Sequence, residues 1–410
     1  MKKLFFILTI LLFASPIFAA GPYYVRTDGN NNCNGLYDTG GSSGNCAKRT
    51  IAAGYALASG GDTVYVRSGS YGESLTLNRS GSSGSVITLD GTSTAAATTK
   101  IDITGQYNIV TGFDFPTNTG SNTPVVTFTG NHNTVSYSKI HNQDGCDWGK
   151  ILIDDADYST FTHNEVYDSA NDDAIRLWGS YITISYNYIH DWTNNNGNCH
   201  VDFVQSFCLS GTCTAQYILI EHNLIQDVDM QGANVTNTNA DPTRRDWIWR
   251  NNIFDNVSGI LWANVPYTYI YNNMFNNVGY EQDDTAAISV RNYGSDGNAC
   301  PGSEIRNNIL IGNTDVITDN CPGGTPIQSN NYTSSTGPSG YFVNLPGSDF
   351  HPTSSATSVI DQGMDLSGSG WDGGFTDDYD GNTRTGTWDI GAYEYESAVP
   401  ANAIQGVTIN

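Results

Sequence analysis

The chain has 410 residues, of which only 14% are charged, against roughly 25% in an ordinary soluble domain. Lys and Arg number 17 against 41 Asp and Glu, a net charge of −24, which sets aside nucleic acid and anionic membrane surfaces as partners. The polarity comes instead from uncharged Asn, Ser, Thr, Gly and Tyr, a turn-rich surface at odds with long exposed helices laced with Glu and Lys.

Residues 1–20 read as a secretory signal. Lys2 and Lys3 begin it, Leu4 to Ala14 is a short apolar run, and Ile17-Phe18-Ala19-Ala20 is a small-residue cleavage zone. The run is too short to span a membrane, so no membrane insertion is expected. Export makes disulfides the natural reading of the eight cysteines. Short loops favour Cys33–Cys46 and Cys208–Cys213, with Cys300–Cys321 next, which leaves Cys146 and Cys199 for each other. No CxxC pair supports zinc as the alternative. Next in the chain, Thr50 to Ala58 reads as an apolar-faced helix ended by Gly60-Gly61, followed by the strand-like Gly61-Asp62-Thr63-Val64-Tyr65-Val66.

From there a repeat takes over. A polar-Asn-x-apolar motif recurs as His163-Asn164-Glu165-Val166, Tyr186-Asn187-Tyr188-Ile189, His222-Asn223-Leu224-Ile225, Asn251-Asn252-Ile253-Phe254, Asn272-Asn273-Met274-Phe275 and Asn307-Asn308-Ile309-Leu310. Asn330-Asn331-Tyr332 is a last echo, and Ser138-Lys139-Ile140 an early one without the Asn. The second Asn positions are spaced by 23, 36, 29, 21, 35 and 23 residues, the short spacings being single turns and the long ones turns with insertions. Tyr-, Ile- and Thr-rich strands precede each motif, as in Tyr181-Ile182-Thr183-Ile184. Strands at this period bury a core only by stacking coil on coil, which places equivalent Asn residues about 4.8 Å apart in a ladder. The expected fold is all-β, a single-stranded right-handed parallel β-helix; a propeller needs blades of roughly 40–50 residues.

With these motifs in place, the chain resembles the right-handed parallel β-helix proteins among secreted bacterial polysaccharide-degrading enzymes. The segment from Tyr23 to Tyr71 is similar to their first coil and capping helix. Ser358-Val359-Ile360-Asp361-Gln362-Gly363, Asp378-Tyr379-Asp380-Gly381-Asn382-Thr383-Arg384 and Trp388-Asp389-Ile390-Gly391-Ala392-Tyr393-Glu394-Tyr395 resemble a choice-of-anchor Q closing segment. After the signal read at 1–20, the resemblance implies a cap and first coil at 21–80, coils at 81–335, a closing segment at 336–397 and a tail at 398–410. The protein is then secreted, periplasmic or extracellular, with cell-surface association as a variant, and acts as a monomer on a polysaccharide.

The repeat also sorts the candidate residues. His163 and His222 fill the slot before the ladder Asn, and His141 and His190 the slot after the apolar residue, so all four read as structural. His200 falls outside the ladder, in the longest insertion, and opens His200-Val201-Asp202-Phe203-Val204-Gln205. Strand alternation would point His200, Asp202 and Val204 one way and Phe203 and Gln205 the other. Counting back from the ladder sets Asp173 beside Asp202 and Arg176 beside Gln205. Gln231, Asp172, Trp178, Arg244 and Arg245 extend this strip as substrate-binding candidates. Trp192 and Trp262 could line the groove or fill the core.

A lyase needs a base for the proton at C5 of a uronic acid and a cation for the adjacent carboxylate. His200 oriented by Asp202 suits the first role, and Arg176, Arg244 or Arg245 the second. A hydrolase would instead use paired carboxyls from Asp172, Asp173 and Asp202, and a non-catalytic glycan-binding or adhesion solenoid is the third reading. The Trp-x-Asp-His, Gly-His-Gly and Arg-Ile-Lys signatures of known β-helix subfamilies are absent. Finally, Asp168, Asp191 and Asp227 share one turn slot in successive coils. Turn amides would hold them, or a calcium ion.

Overall fold

The computed structural model describes residues 21–396 except 92–95, 117–122, 147–148, 196–198, 208–212, 237–241, 280–285, 293–299, 319–320 and 322–323. Residues 1–20, which the sequence reads as a signal, residues 397–410 and Cys208 therefore lie outside the described residues. Among the described residues, three long parallel sheets of 13, 11 and 10 strands run side by side. One coil is made of Thr160–Thr162, Glu165–Ala170 and Ile175–Leu177, and the next of Thr183–Ser185, Tyr188–Thr193 and Val204–Ser206. Each strand pairs in parallel with its equivalent one coil away. The chain is a parallel β-helix.

The Asn ladder sets the register. Asn164, Asn187, Asn223, Asn252, Asn273 and Asn308 each pass one amide N–H to the side-chain oxygen of the next rung, ending at Asn331, at 3.0–3.1 Å. The same oxygen accepts the backbone N–H of the preceding Asn. Each amide from Asn187 onward also donates to a carbonyl one coil back. Ser138, the echo without Asn, still uses the slot, donating its backbone N–H to Asn164 Oδ1 at 3.0 Å. Two residues beyond the ladder, Ile140, Val166, Ile189, Ile225, Phe254, Phe275 and Leu310 stack in register, all fully buried. Each such side chain contributes about 1.5–3 kcal/mol of apolar burial.

The slot before the ladder has positive φ in every coil from Tyr137 to Asn330, a left-handed turn that Asn tolerates best. In the early coils it holds Tyr137, His163, Tyr186 and His222, whose rings stack face to face at 4.5–4.8 Å. In the later coils it holds Asn, and the reason lies in the chain's end. Asn251, Asn272, Asn307 and Asn330 donate their amides to carbonyls of Asp377, Asp389, Gly391, Met364 and Gln362. Residues of the closing segment thus dock along the flank of the last coils. Arg384, almost fully buried, ties it further through Glu394 at 3.0 Å and Asn251 Oδ1 at 3.1 Å.

At the other end a helix, Ile51–Tyr55, is shorter than the sequence suggests. Thr50 Oγ1 caps it by accepting from Ala53 N, and Glu73 accepts the N–H groups of Ile51 and Ala52. A Cβ at Gly54 would sit 2.3 Å from Val25 Cγ2, so only glycine fits against the first strand. Disulfides join Cys33–Cys46, Cys146–Cys199 and Cys300–Cys321. Trp192 is core, 1% exposed.

Replacing Asn252 by Ala strips acceptors from Asn223 and a donor from Asn273, all buried. Urea denaturation should show a loss of about 2–4 kcal/mol, against about 0.5 kcal/mol or less for Asn277→Ala on the exposed turn. A second prediction concerns His351, whose Nδ1 lies 2.6 Å from Asp349 and Nε2 2.8 Å from Asp380. The two carboxylates outweigh burial and raise its pKa to about 9 from 6.5. A raised pKa gives stability that is complete below 6.5 and lost as pH climbs through 9. The melting temperature should fall across that window, and His351→Asn should flatten the fall.

Candidate functional site

The site forms at the corner between the eleven-stranded and ten-stranded sheets, just before the strands Ile175–Leu177 and Val204–Ser206. Asp172 and Asp173 make this corner in one coil, and Asp202 in the next. Asp172 is buried at 1% exposure, accepts the N–H groups of Gly149 and Asp173, and lies 3.1 Å from the equally buried Lys150 Nζ. It holds the corner's shape and is out of a ligand's reach, which corrects its reading as a substrate contact.

Asp173 and Asp202 are each 0% exposed. Asp173 Oδ1 accepts the backbone N–H of Asp202 at 2.9 Å, and its Oδ2 receives Arg176 through Nε at 3.1 Å and Nη2 at 2.6 Å. Asp202 Oδ2 lies 2.7 Å from His200 Nδ1 and accepts from Gln205 Nε2 at 3.1 Å. Asp202 Oδ1 is buried with no hydrogen-bond partner among the described residues. His200 is the member that meets solvent, its side chain 45% exposed, with Nε2 3.3 Å from Asn234 Nδ2. Arg176 and Gln205 are register partners, as are Gln205 and Asn234.

Strict alternation fails here. Phe203 and Val204 are both fully buried, as are Ala174 and Ile175 one coil earlier, because the backbone turns the corner between them. That turn brings Asp202, Gln205 and His200 to one side. The Cys146–Cys199 bridge, with Cα atoms 5.4 Å apart, fixes the residue before His200 to an earlier coil.

Burial pushes the Asp173 carboxyl well above its usual range, and the neighbouring Asp202 adds to this, while Arg176 opposes it. Burial also raises Asp202, against the pull of His200. His200 is raised in turn, chiefly by its hydrogen bond to Asp202. With the N–H of the neutral ring on Nδ1 toward Asp202, the Nε2 lone pair lies on the solvent side and accepts from Asn234 Nδ2 at 3.3 Å.

Other expected residues lie elsewhere. Arg244 is fully buried and spends its guanidinium on Thr236 O, Cys213 O and Ser206; it is a core brace, not a clamp. Arg245, on the thirteen-stranded sheet, binds Asp246 and lies over the Tyr267 ring at 4.1 Å, so it is not part of the cluster. Trp178 is half-buried, donating Nε1 to Phe207 O at 3.3 Å. Trp262 lies outward, next to Asn234 in register, with Arg291 5.0 Å above its ring. Gln231 lines a cleft beside His200. Sequence reasoning missed Lys150, whose only signal was its place one coil before Asp173.

Asp168, Asp191 and Asp227 do share an exposed left-handed turn slot. Asp191 pairs with His190 and Asp227 accepts from Asn256, which in turn accepts from Asn277. Among the described residues, the group that offers three ligand atoms within 4.8 Å of one another is Asp173, His200 and Asp202 instead. Arg176 bonds to Asp173 and the imidazole to Asp202 Oδ2, and Asp202 Oδ1 is the oxygen left over. The two carboxylates offer at most four oxygens, so a calcium ion, which takes six to eight, would need the rest from water or a ligand.

No family model matches the chain, and no curated protein matches it. Among solved structures it is similar to the pectate lyase Pel9A, with a TM-score of 0.60 and 15% identity over 93% of this chain and 98% of that one. It is also similar to a rhamnogalacturonan lyase, with a TM-score of 0.55 and 12% identity over 79% and 91%. Identities this low establish the fold: a right-handed parallel β-helix.

Asp202→Asn removes the charge that raises His200. Titration of the His200 ring by NMR should show its pKa drop toward or below 6.5, with the other ring signals unmoved.

Proposed function

We propose that the protein is an exported polysaccharide lyase that cleaves a uronic-acid-containing glycan by β-elimination, with His200 as the base. The observation that carries this reading is the solvent-facing imidazole whose Nδ1 is held by the fully buried Asp202 beside Arg176. His200 Nε2 takes the proton from C5. The electron pair forms the C4–C5 double bond and the C4–oxygen bond breaks, with the imidazolium returning its proton to the departing oxygen. Arg176 supplies positive charge near the acidified carbon, and the Gln205 and Asn234 amides offer hydrogen bonds to the uronate.

The paired-carboxyl hydrolase is less well supported. Its two carboxyls must face the glycosidic bond, and Asp173 and Asp202 are both sealed and bonded within the protein. Disulfides at three described positions support export, as does the signal-like 1–20. We read 336–397 as a choice-of-anchor Q type closing segment whose motif residues serve docking.

Digestion of a panel of acidic and neutral polysaccharides tests the reading. New reducing ends should appear together with ultraviolet absorbance from a conjugated double bond, and His200→Ala should cut the rate by about 10²–10⁴. Reducing ends without absorbance would mean hydrolysis, and silence across the panel a binding solenoid. Because the base must be neutral and its pKa is raised, activity should climb with pH through a midpoint above 6.5. Chelation should leave the rate unchanged; a loss restored by calcium would move the chemistry to a cation at Asp173 and Asp202.

A further inference from the structure

The exposed side of His200 borders two different environments. One coil upstream stands Arg176, the guanidinium whose charge His200 feels. One and two coils downstream a cleft of about 280 Å³ opens, walled by Asn194, Asp229, Gln231, Ser258 and Gly259. Coils rise about 4.8 Å each, close to the length of a sugar ring, so a glycan chain crossing His200 would place neighbouring residues in the two environments.

The cleft is chemically unlike the Arg176 side. Apart from His200, Asp229 is the ionisable group among its described walls, and it is an acid. A uronate there would bring a second negative charge to Asp229 with no guanidinium or ammonium among those walls, an arrangement that costs free energy at close range. Gln231 brings a buried Oε1 with no donor among the described residues, an acceptor that a sugar hydroxyl would satisfy. Gly259 lets the next coil pack close under Gln231: a Cβ there would stand 2.9 Å from both Cα and Cγ of Gln231 and displace it.

We propose that this cleft is a subsite for an uncharged sugar, so that the polymer cut at His200 is a heteroglycan joining a uronate to a neutral residue. The proposal rests on the elimination reading for what lies at Arg176, but the cleft's preference is measurable without turnover. A His200→Gln background keeps oligomers intact. Calorimetry then compares oligogalacturonates with alternating rhamnose–galacturonate oligomers of equal length. The alternating set should bind about ten-fold tighter, and adding Gly259→Ala or, at constant volume, Gln231→Leu should bring the two sets within about two-fold of each other. Gln231→Leu serves if Gly259→Ala melts below the parent.

Equal affinity in the parent, tighter binding of the homopolymer, binding of neither set, or a preference that survives both substitutions overturns the proposal. Failure of the elimination reading alone would look different. The unmutated protein would leave both polymers uncut while the affinity ratio stood.

Discussion

A ladder of asparagine amides governs this molecule. Each rung saturates a side chain with two donors and two acceptors against the coils before and after it, inside a core where an unmade hydrogen bond is costly. A residue at that point of the coil is thereby fixed to within hydrogen-bond tolerance of its neighbours. Length variation is displaced to wherever the ladder is not. The longest gap between rungs, from Asn187 to Asn223, contains His200.

The candidate site is a corner made rigid by what surrounds it. Asp172 and Lys150 form a buried pair under the turn, and the Cys146–Cys199 bridge holds the insertion. Asp173 and Asp202 face one another through a backbone N–H, and each has a cationic or protonatable partner that reaches the surface. Buried carboxyls this close are destabilising unless paired. The result is one imidazole, oriented from below and open above. The closing segment plays a different part: its Asp378, Arg384 and Asp389 bond to His222, Asn251 and Asn272 or to their own turn.

What the sequence made legible was whatever the repeat determines. The coil period, the Asn positions, the structural slots of His163 and His222, and the pairing of Arg176 with Gln205 all follow from counting. Properties set by a corner or an insertion were not legible in this way. Alternation misassigned Phe203, which the turn buries beside Val204. Arg244 looked like a surface cation because its insertion breaks the period, yet it satisfies three backbone carbonyls from within. Asp172 resembled Asp173 in sequence, and only the buried Lys150 one coil away separates a brace from a member of the His200 cluster.

The central chemical claim is elimination rather than addition of water at the bond His200 faces. Mass spectrometry of the two products from one defined uronate-containing oligosaccharide decides it. Elimination requires product masses that sum to the mass of the substrate, with the new unsaturation on the uronate that becomes the non-reducing terminus of the reducing-side fragment. A sum larger by one water would contradict it and pass the reaction to a hydrolytic pair of carboxyls.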